Sequence, residues 1–80
     1  MDKEIVVAEF KKNQREVVRA VIKTWNGRRL LDLRVCYQEE GEWKPGSKGL
    51  CLQTTCIADL KKAVAALDQA LVAEEEPNAD

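Results

Sequence analysis

The chain has 80 residues, of which 34% are charged and 5% aromatic, and it carries a formal net charge of −1 without any histidine. This length fits one small domain with a limited core, because such a chain buries only about 60% of its unfolded surface. Its three cysteines are an odd number without a C-x-x-C pair, which argues against a disulfide framework and a zinc site and predicts reduced, mostly buried thiols: Cys36, Cys51 and Cys56.

The near-neutral total hides a basic segment. Residues 11–34 carry 8 Lys/Arg against 2 Asp/Glu, whereas residues 54–80 carry 2 against 6. Such a local basic field indicates an anionic partner that meets one face of the protein.

The opening stretch MDKEIVVAEF has acidic residues where a secretory signal needs a basic region, and no stretch reaches the roughly 20 apolar residues of a membrane span. We therefore expect an intracellular protein without membrane contact. It would be cytoplasmic or nucleoid-associated in a bacterium, and nuclear in a eukaryote.

Alternating sequences predict the first strands. Residues 1–14 form an N-terminal segment in which EIVVAEF is one possible short strand. Residues 15–23 and 28–37 alternate with period two and are separated by an Asn-Gly pair, which favours a tight hairpin. In the second strand Leu31, Leu33 and Val35 share one face, and Arg28, Asp32 and Arg34 share the other.

Turn residues predict two more strands. A short third strand at Trp43–Lys44 should follow the turn EEG and end at Pro45, because proline has no N–H for a ladder. Pro45-Gly46 suits a type II turn, after which KGLCLQ alternates as a fourth strand. Short turns between four strands predict an antiparallel meander.

The period changes near Thr54 or Thr55, either of which could cap a helix with Asp59 in its first turn. Apolar residues then recur at steps of three and four along one helix face: Ile57, Leu60, Val64, Leu67 and Leu71. A single sheet layer needs cover on its apolar face, so we expect this helix to pack on it.

The predicted fold class is α+β, with a four-stranded antiparallel meander followed by one C-terminal helix on one sheet face. Residues 15–73 form the domain, and the acidic residues 74–80 are predicted to be a disordered tail. A line of small residues beside the apolar stripe would let a second helix approach, which favours a homodimer: Ala63, Ala66 and Ala70.

The sheet face opposite the helix is expected to combine cations with aromatic rings. Arg28 and Arg34 lie on this predicted face, with Trp25, Tyr37 and Trp43 at its margins. Phosphates pair with cations and unstacked bases lie on aromatic rings, so the combination suits single-stranded nucleic acid. Each residue also has an ordinary structural explanation: packing for the aromatics, and a solvated turn or an ion pair for the cations.

Three functions stay open on this reasoning: single-stranded DNA binding, RNA binding, and a protein-interaction module that docks an acidic partner. An enzyme is not expected, because the chain has no histidine, no paired-carboxylate signature and no metal-ligand spacing. No cofactor or metal is predicted.

The stretch WNGRRLLDLR followed by GEWKPGSKGLCL resembles the single-stranded-DNA-binding domain of the transcriptional coactivator family named after positive cofactor four. The resemblance covers about residues 15–72. It implies a homodimer whose sheets present basic channels to single strands, a role in transcription regulation or genome maintenance, contact with the transcription machinery, and a short, bacterial-type member.

The resemblance also implies roles for individual residues. Trp25 matches the stacking aromatic at the hairpin, Arg28 matches its cation, and Arg34 matches the arginine of the second strand. Tyr37 matches a second aromatic, and Lys44 and Lys48 match lysines of the third and fourth strands. Gly49 would leave the backbone open to an approaching strand.

Overall fold

The computed structural model describes residues 3–75. The strands β1 (Lys3–Lys11), β2 (Glu16–Trp25), β3 (Arg28–Glu39) and β4 (Glu42–Gln53) form one antiparallel sheet in sequence order. A 3-10 turn at Thr54–Cys56 leads into the helix α1, Ile57–Glu75. The predicted fold class, a four-stranded antiparallel sheet followed by one C-terminal helix, is confirmed. The helix runs two residues into the predicted tail, of which residues 76–80 lie outside the described residues.

The division of the sheet into strands differs from the prediction. The N-terminal segment, expected to hold at most a short strand, forms the nine-residue β1 and pairs with β2. The predicted third and fourth strands are one continuous strand, β4, which runs through Pro45. The predicted type II turn is absent from β4, since Gly46 is not among the residues with positive φ.

The stretch KPGSK forms a bulge in β4 instead of a turn. Arg34 pairs with Gly49 and Cys36 pairs with Pro45, so Val35 alone faces the three residues 46–48. Proline is tolerated here because β4 is an edge strand. The same Pro-Gly chemistry that favours a turn therefore also allows an edge strand to bend.

Both tight hairpins have two residues in the left-handed region. Asn26 and Gly27 have φ values of 52° and 75°, and Glu40 and Gly41 have values of 51° and 82°. Two successive positive φ values match the twist of the flanking strands, which is why the Asn-Gly pair is favoured. The two turns predicted at WNG and EEG are confirmed.

The strand register defines two sheet faces, because directly opposed residues share a face and successive residues alternate. What we call the charged face holds most of the ionic side chains of the sheet together with several valines. Its members include Glu4, Glu9, Val17, Arg19, Val21, Lys23, Asp32, Arg34 and Cys36. What we call the apolar face includes Ile5, Val18, Ala20, Ile22, Leu31, Leu33, Leu50 and Leu52.

The most buried side chains lie on the charged face. Val17, Val21, Cys36 and Asp32 are all less than 9% exposed. The apolar face is only half covered, and Leu50 is 46% exposed. Within one chain, the better-covered side of the sheet is therefore the one that carries the charges.

The helix does not cover the apolar face within the single chain. Its side chains are exposed from Ile57 to Glu74, except for the partly buried Leu60. The radius of gyration is 15.7 Å, larger than the roughly 12 Å of a compact chain of this length. The expected packing of the helix on the sheet is thus not present in one chain.

The start of the helix also differs from the prediction. Thr54 and Thr55 lie inside the 3-10 turn, and its N-cap residue, Gln53, makes no side-chain capping bond. The predicted threonine cap is therefore not formed. Asp59 does lie in the first turn of α1, where a carboxylate favours the helix dipole.

Candidate nucleic-acid interface

A buried ion pair lies at the centre of the charged face. Asp32 is 3% exposed, and its Oδ1 and Oδ2 accept hydrogen bonds from Nη2 and Nε of Arg34 at 2.8 and 3.1 Å. Lys23 Nζ lies 4.0 Å from Asp32 and 4.0 Å from Glu4. The hydrogen bonds from Arg34 hold the pKa of Asp32 below its usual value, although burial acts in the opposite direction.

Arg34 also holds the bulge of β4. Its Nη1 donates to the carbonyl oxygens of Gly46 and Ser47 at 3.3 and 3.4 Å. Both carbonyl oxygens belong to the bulge itself, in which residues 46–48 of β4 lie opposite Val35 of β3. All three guanidinium nitrogens therefore have partners inside the chain, so the structural explanation of Arg34, an ion pair with Asp32, is the one observed.

Gly49 has a structural reason of its own. A Cβ at this position would collide with the carbonyl oxygen of Leu33 and lie 3.0 Å from Cα and 3.1 Å from Cζ of Arg34. The missing side chain thus makes room for β3 and the Arg34 guanidinium. That Gly49 also leaves the backbone open to an approaching strand stays a prediction.

An aromatic ring and a cation lie side by side at the β2–β3 hairpin. Trp25 and Arg28 are directly opposed in the register across the Asn26-Gly27 turn. Trp25 is 55% exposed, and within residues 3–75 Arg28 makes no ion pair. Beside the ring is a cavity of about 290 Å³ whose wall includes Lys3, Lys23 and Leu30. We call Trp25 and Arg28 the Trp25 cluster.

A second group of predicted residues lies at the opposite end of the sheet. Tyr37 is directly opposed to Glu16 on one side and Lys44 on the other, so the three share the apolar face. Tyr37 and Lys48 line one cavity of about 180 Å³ beside the bulge. Lys44 Nζ lies 3.4 Å from a carboxylate oxygen of Glu39. We call Tyr37, Lys44 and Lys48 the Tyr37 cluster.

The predicted binding residues therefore do not converge on one face. Trp25, Arg28, Arg34 and Gly49 belong to the charged face, whereas the Tyr37 cluster lies on the other side. Three positions separate Arg34 from Tyr37 along β3, and an odd separation in a strand points two side chains to opposite faces. The sequence spacing contained this information.

Several cations outside the predicted site are also placed to contact an anion. Ion pairs engage Lys12, Arg19, Lys23, Arg34 and Lys44. Among residues 3–75, the sheet and turn cations outside any ion pair are Lys3, Lys11, Arg15, Arg28, Arg29 and Lys48. The signal for Lys11 and Arg15 was the basic stretch KKNQR, which forms the end of β1 and the turn after it.

The three thiols are free, and they differ in exposure. Cys36 is buried as predicted, Cys56 is partly buried, and Cys51 is exposed on β4. In the described part of the chain no group of His, Cys, Asp and Glu could hold a metal ion. Within residues 3–75, no helix is long and apolar enough to cross a membrane.

Comparison with known proteins identifies the family. The family model described as Transcriptional Coactivator p15 (PC4) matches residues 11–63. The chain belongs to the PC4 family. The family resemblance seen in the sequence is thereby confirmed.

Relatives of this PC4-family chain include a plant coactivator. The RNA polymerase II transcriptional coactivator KIWI of Arabidopsis thaliana is 34% identical over 68 residues, which cover 85% of this chain and 60% of KIWI. The chain thus matches about 60% of the length of that relative.

Two solved structures share the fold. A PC4 homolog from Burkholderia pseudomallei in its tetragonal crystal form has a TM-score of 0.77 at 18% identity, over 82% of this chain and 98% of the homolog. A bacteriophage T5 homolog of PC4, described as implicated in recombination-dependent DNA replication, has a TM-score of 0.58 at 21% identity, over 92% and 81% of the two chains. At these identities the likeness establishes the fold.

Proposed function

We propose that this PC4-family chain is a non-enzymatic, homodimeric protein that binds single-stranded DNA in transcription regulation or genome maintenance. The observation that carries the proposal is the Trp25 cluster, where a half-exposed ring stands directly beside a cation without an ion pair in the described residues. A ring left in water at a hairpin tip contributes little to the fold. It is well placed for an external partner.

The two chemistries of this cluster match the two parts of a nucleotide. A base stacked on an aromatic ring contributes about 1–3 kcal/mol, and a phosphate pairs with a neighbouring cation. Duplex DNA keeps its base faces inside the stack, so an exposed ring favours single strands. In this proposal Trp25 and Tyr37 stack bases, and Arg28, Lys44 and Lys48 contact phosphates. The exposed ion pair of Lys44 with Glu39 is weak enough to exchange for a phosphate. The partly buried Arg34 acts through the fold.

The relatives support a process that involves DNA. KIWI is named as a coactivator of RNA polymerase II transcription, and the phage homolog is linked by its description to recombination-dependent replication. Exposed DNA strands occur in both processes. We extend this to the present chain as part of the proposal, including contact with a transcription apparatus.

A second copy would cover the surfaces that one chain leaves open. Val64, Leu67 and Leu71 on α1 are each more than half exposed, and the apolar face of the sheet is only half covered. Removing such apolar area from water stabilises association by about 25 cal/mol per Å² before the costs of binding. A two-fold pairing would bury the same patch on both copies.

The test compares one sequence of about 20 nucleotides as single-stranded DNA, as duplex DNA and as RNA, at two salt concentrations. A Trp43→Phe variant leaves Trp25 as the only tryptophan reporter. We expect single-stranded DNA to quench Trp25 and to bind more tightly than the duplex. Equal or tighter duplex binding without quenching would contradict the proposal, and tighter RNA binding would assign the surface to RNA. Binding of poly-glutamate as tightly as DNA would indicate an acidic protein partner.

A further inference from the structure

An open cavity of about 570 Å³, with a mixed polar and apolar lining, adjoins the Tyr37 cluster. Its walls come from the β1–β2 turn, the start of β2 and the end of β3, and the lining residues are Asn13, Gln14, Arg15, Glu16, Tyr37 and Gln38. The cavity is large enough for one nucleobase. Its side chains offer both hydrogen-bond donors and acceptors.

The turn that forms one wall is fixed by its own hydrogen bonds. Asn13 Oδ1 accepts from the backbone N–H groups of Arg15 and Glu16 at 2.9 and 2.8 Å. The backbone N–H groups of Lys12 and Asn13 donate to the Glu16 carbonyl oxygen at 2.9 and 3.2 Å. These bonds organise the wall before any ligand arrives, which lowers the cost of binding.

The Glu16 carboxylate is held in place by one of its two oxygens. Oε1 accepts from Lys12 Nζ at 3.1 Å and from Asn13 Nδ2 at 2.8 Å. Oε2 has no hydrogen-bond partner among residues 3–75. The bonds from Asn13 and Lys12 lower the pKa of Glu16, which keeps it an anionic acceptor at neutral pH.

An aromatic ring and a donor group complete the cavity. Tyr37 is 39% exposed and is directly opposed to Glu16, so its ring and the carboxylate are neighbours on one face. The guanidinium of Arg15 makes no ion pair within the described residues. Guanidinium groups offer only donors, in a fork that suits two adjacent acceptors.

We propose that this cavity binds one guanine base of the single strand, with the ring of Tyr37 as platform, Glu16 as acceptor and Arg15 as donor. This inference rests on the proposed function and adds base preference to it. Guanine alone combines adjacent donors, N1–H and the N2 amino group, with the adjacent acceptors O6 and N7. Adenine and cytosine present a ring-nitrogen acceptor to the carboxylate, and thymine flanks its single donor with carbonyl oxygens.

The experiment measures binding of an all-thymine oligonucleotide and of versions with one central dG, dA, dC or deoxyinosine. We expect the dG oligonucleotide to bind at least about fivefold more tightly than the dA, dC and all-thymine oligonucleotides. Deoxyinosine lacks the N2 amino group and should lose part of the gain. Replacing dG by 7-deazaguanine removes the N7 acceptor, and this change should weaken binding to the wild type more than to Arg15→Ala.

Two variants locate the preference. Glu16→Gln should remove the preference for dG, measured as the ratio of the affinities for the dG and all-thymine oligonucleotides, because the amide cannot accept as the carboxylate does. Its matched control is Glu39→Gln, which also neutralises a carboxylate paired with a lysine at this end of the sheet. Arg15→Ala should weaken binding of the dG oligonucleotide more than binding of the all-thymine one. Arg29→Ala removes the same charge at the end of β3 that is remote from the cavity, and it should weaken binding of all oligonucleotides alike.

The outcomes separate the two proposals. The guanine site is overturned if all oligonucleotides bind tightly without a preference for dG, or if the preference survives Glu16→Gln. Neither result contradicts the proposed single-strand binding. Failure to bind any oligonucleotide overturns both. Free guanosine monophosphate serves as competitor: if it displaces the dG oligonucleotide at equal concentration, the cavity is a free-nucleotide site and its assignment to the strand is overturned.

Discussion

The two faces of the sheet differ in how completely one chain buries them and pairs their polar groups. On the charged face, Asp32 is 3% exposed and is bonded to Arg34, which in turn holds the carbonyls of the β4 bulge. On the apolar face the described residues 3–75 cover the leucines only in part, and the helix stripe that could complete the cover is itself mostly exposed. Within one chain the central polar groups of the charged face are paired, whereas the apolar face stays partly open.

The ion pairs of the charged face limit where an anionic ligand can bind. The cations at the centre of the charged face are already paired with carboxylates, so a new anion would have to compete with Asp32 or Glu4 for them. The sheet and turn cations without ion pairs in the described chain lie near the strand ends and in the bulge. We therefore expect recognition at the ends of the sheet and self-association on its apolar side.

The largest expected effect concerns the apolar side. Leu67 is 64% exposed in one chain, so Leu67→Glu should hardly affect a monomer, but in a dimer it would bury an unpaired charge at about 3–5 kcal/mol. Sedimentation of the wild type should give about twice the chain mass of 9.0 kDa, and the variant should sediment as a monomer. Gln69→Glu, which adds the same charge outside the stripe, is the control. A monomeric wild type would contradict the dimer.

The next effect concerns the charged face. Asp32→Ala leaves Arg34 partly buried without its partner, which should lower the free energy of unfolding by about 3 kcal/mol. Glu9→Ala breaks the more exposed ion pair with Arg19 and should cost less than about 1 kcal/mol. Denaturant unfolding measures both. Equal costs would show that the buried pair has no special role in the fold.

The depressed pKa of Asp32 adds a dependence on pH. Its ionised form is favoured in the folded state, so its contribution to stability is full above its unfolded pKa of about 4 and is lost as the pH falls through the lower folded value. Asp32→Asn should be less stable than the wild type at neutral pH, and the difference should shrink towards pH ~2. A constant difference across this range would show that ionisation of Asp32 does not stabilise the fold.

A smaller effect separates two explanations of Gly49. If β3 and Arg34 require the missing side chain, Gly49→Ala should lower the free energy of unfolding by about 1–3 kcal/mol. Ser47→Ala in the same bulge is the control. Unchanged stability combined with weaker DNA binding would instead support an opening for the approaching strand.

Much of the fold could be predicted from local features of the sequence. The Asn-Gly pair predicted the first hairpin because both φ values must be positive, and apolar spacing predicted the helix stripe from Ile57 to Leu71. The bulge was not predictable in the same way. Pro45-Gly46 fits a turn and a bent edge strand equally well, and only the pairing of β4 with Val35 and Arg34 decides between them.

The candidate interface was partly predictable. Alternation placed Trp25 and Arg28 at one hairpin, where the structure has them. The ion pair of Arg34 with Asp32 was one of two open alternatives, since residues two apart in a strand share a face. The pairing of Lys44 with Glu39 depends on register across the second hairpin, and the cavity beside Tyr37 depends on a β1–β2 turn that alternation could not position.

The central claim is that stacking and phosphate contact are separate tasks of neighbouring residues, and the salt dependence of oligo-dT binding tests it most directly. Trp25→Ala should cost about 1–3 kcal/mol with an unchanged slope of log affinity against log salt, because stacking releases no counterions. Arg28→Ala should reduce the slope by about 0.7, whereas Lys61→Ala on α1, an equal loss of charge, should leave it unchanged. Wild-type circular dichroism and sedimentation are required of each variant. If Trp25→Ala folds normally and binds oligo-dT as the wild type does, the claim is wrong.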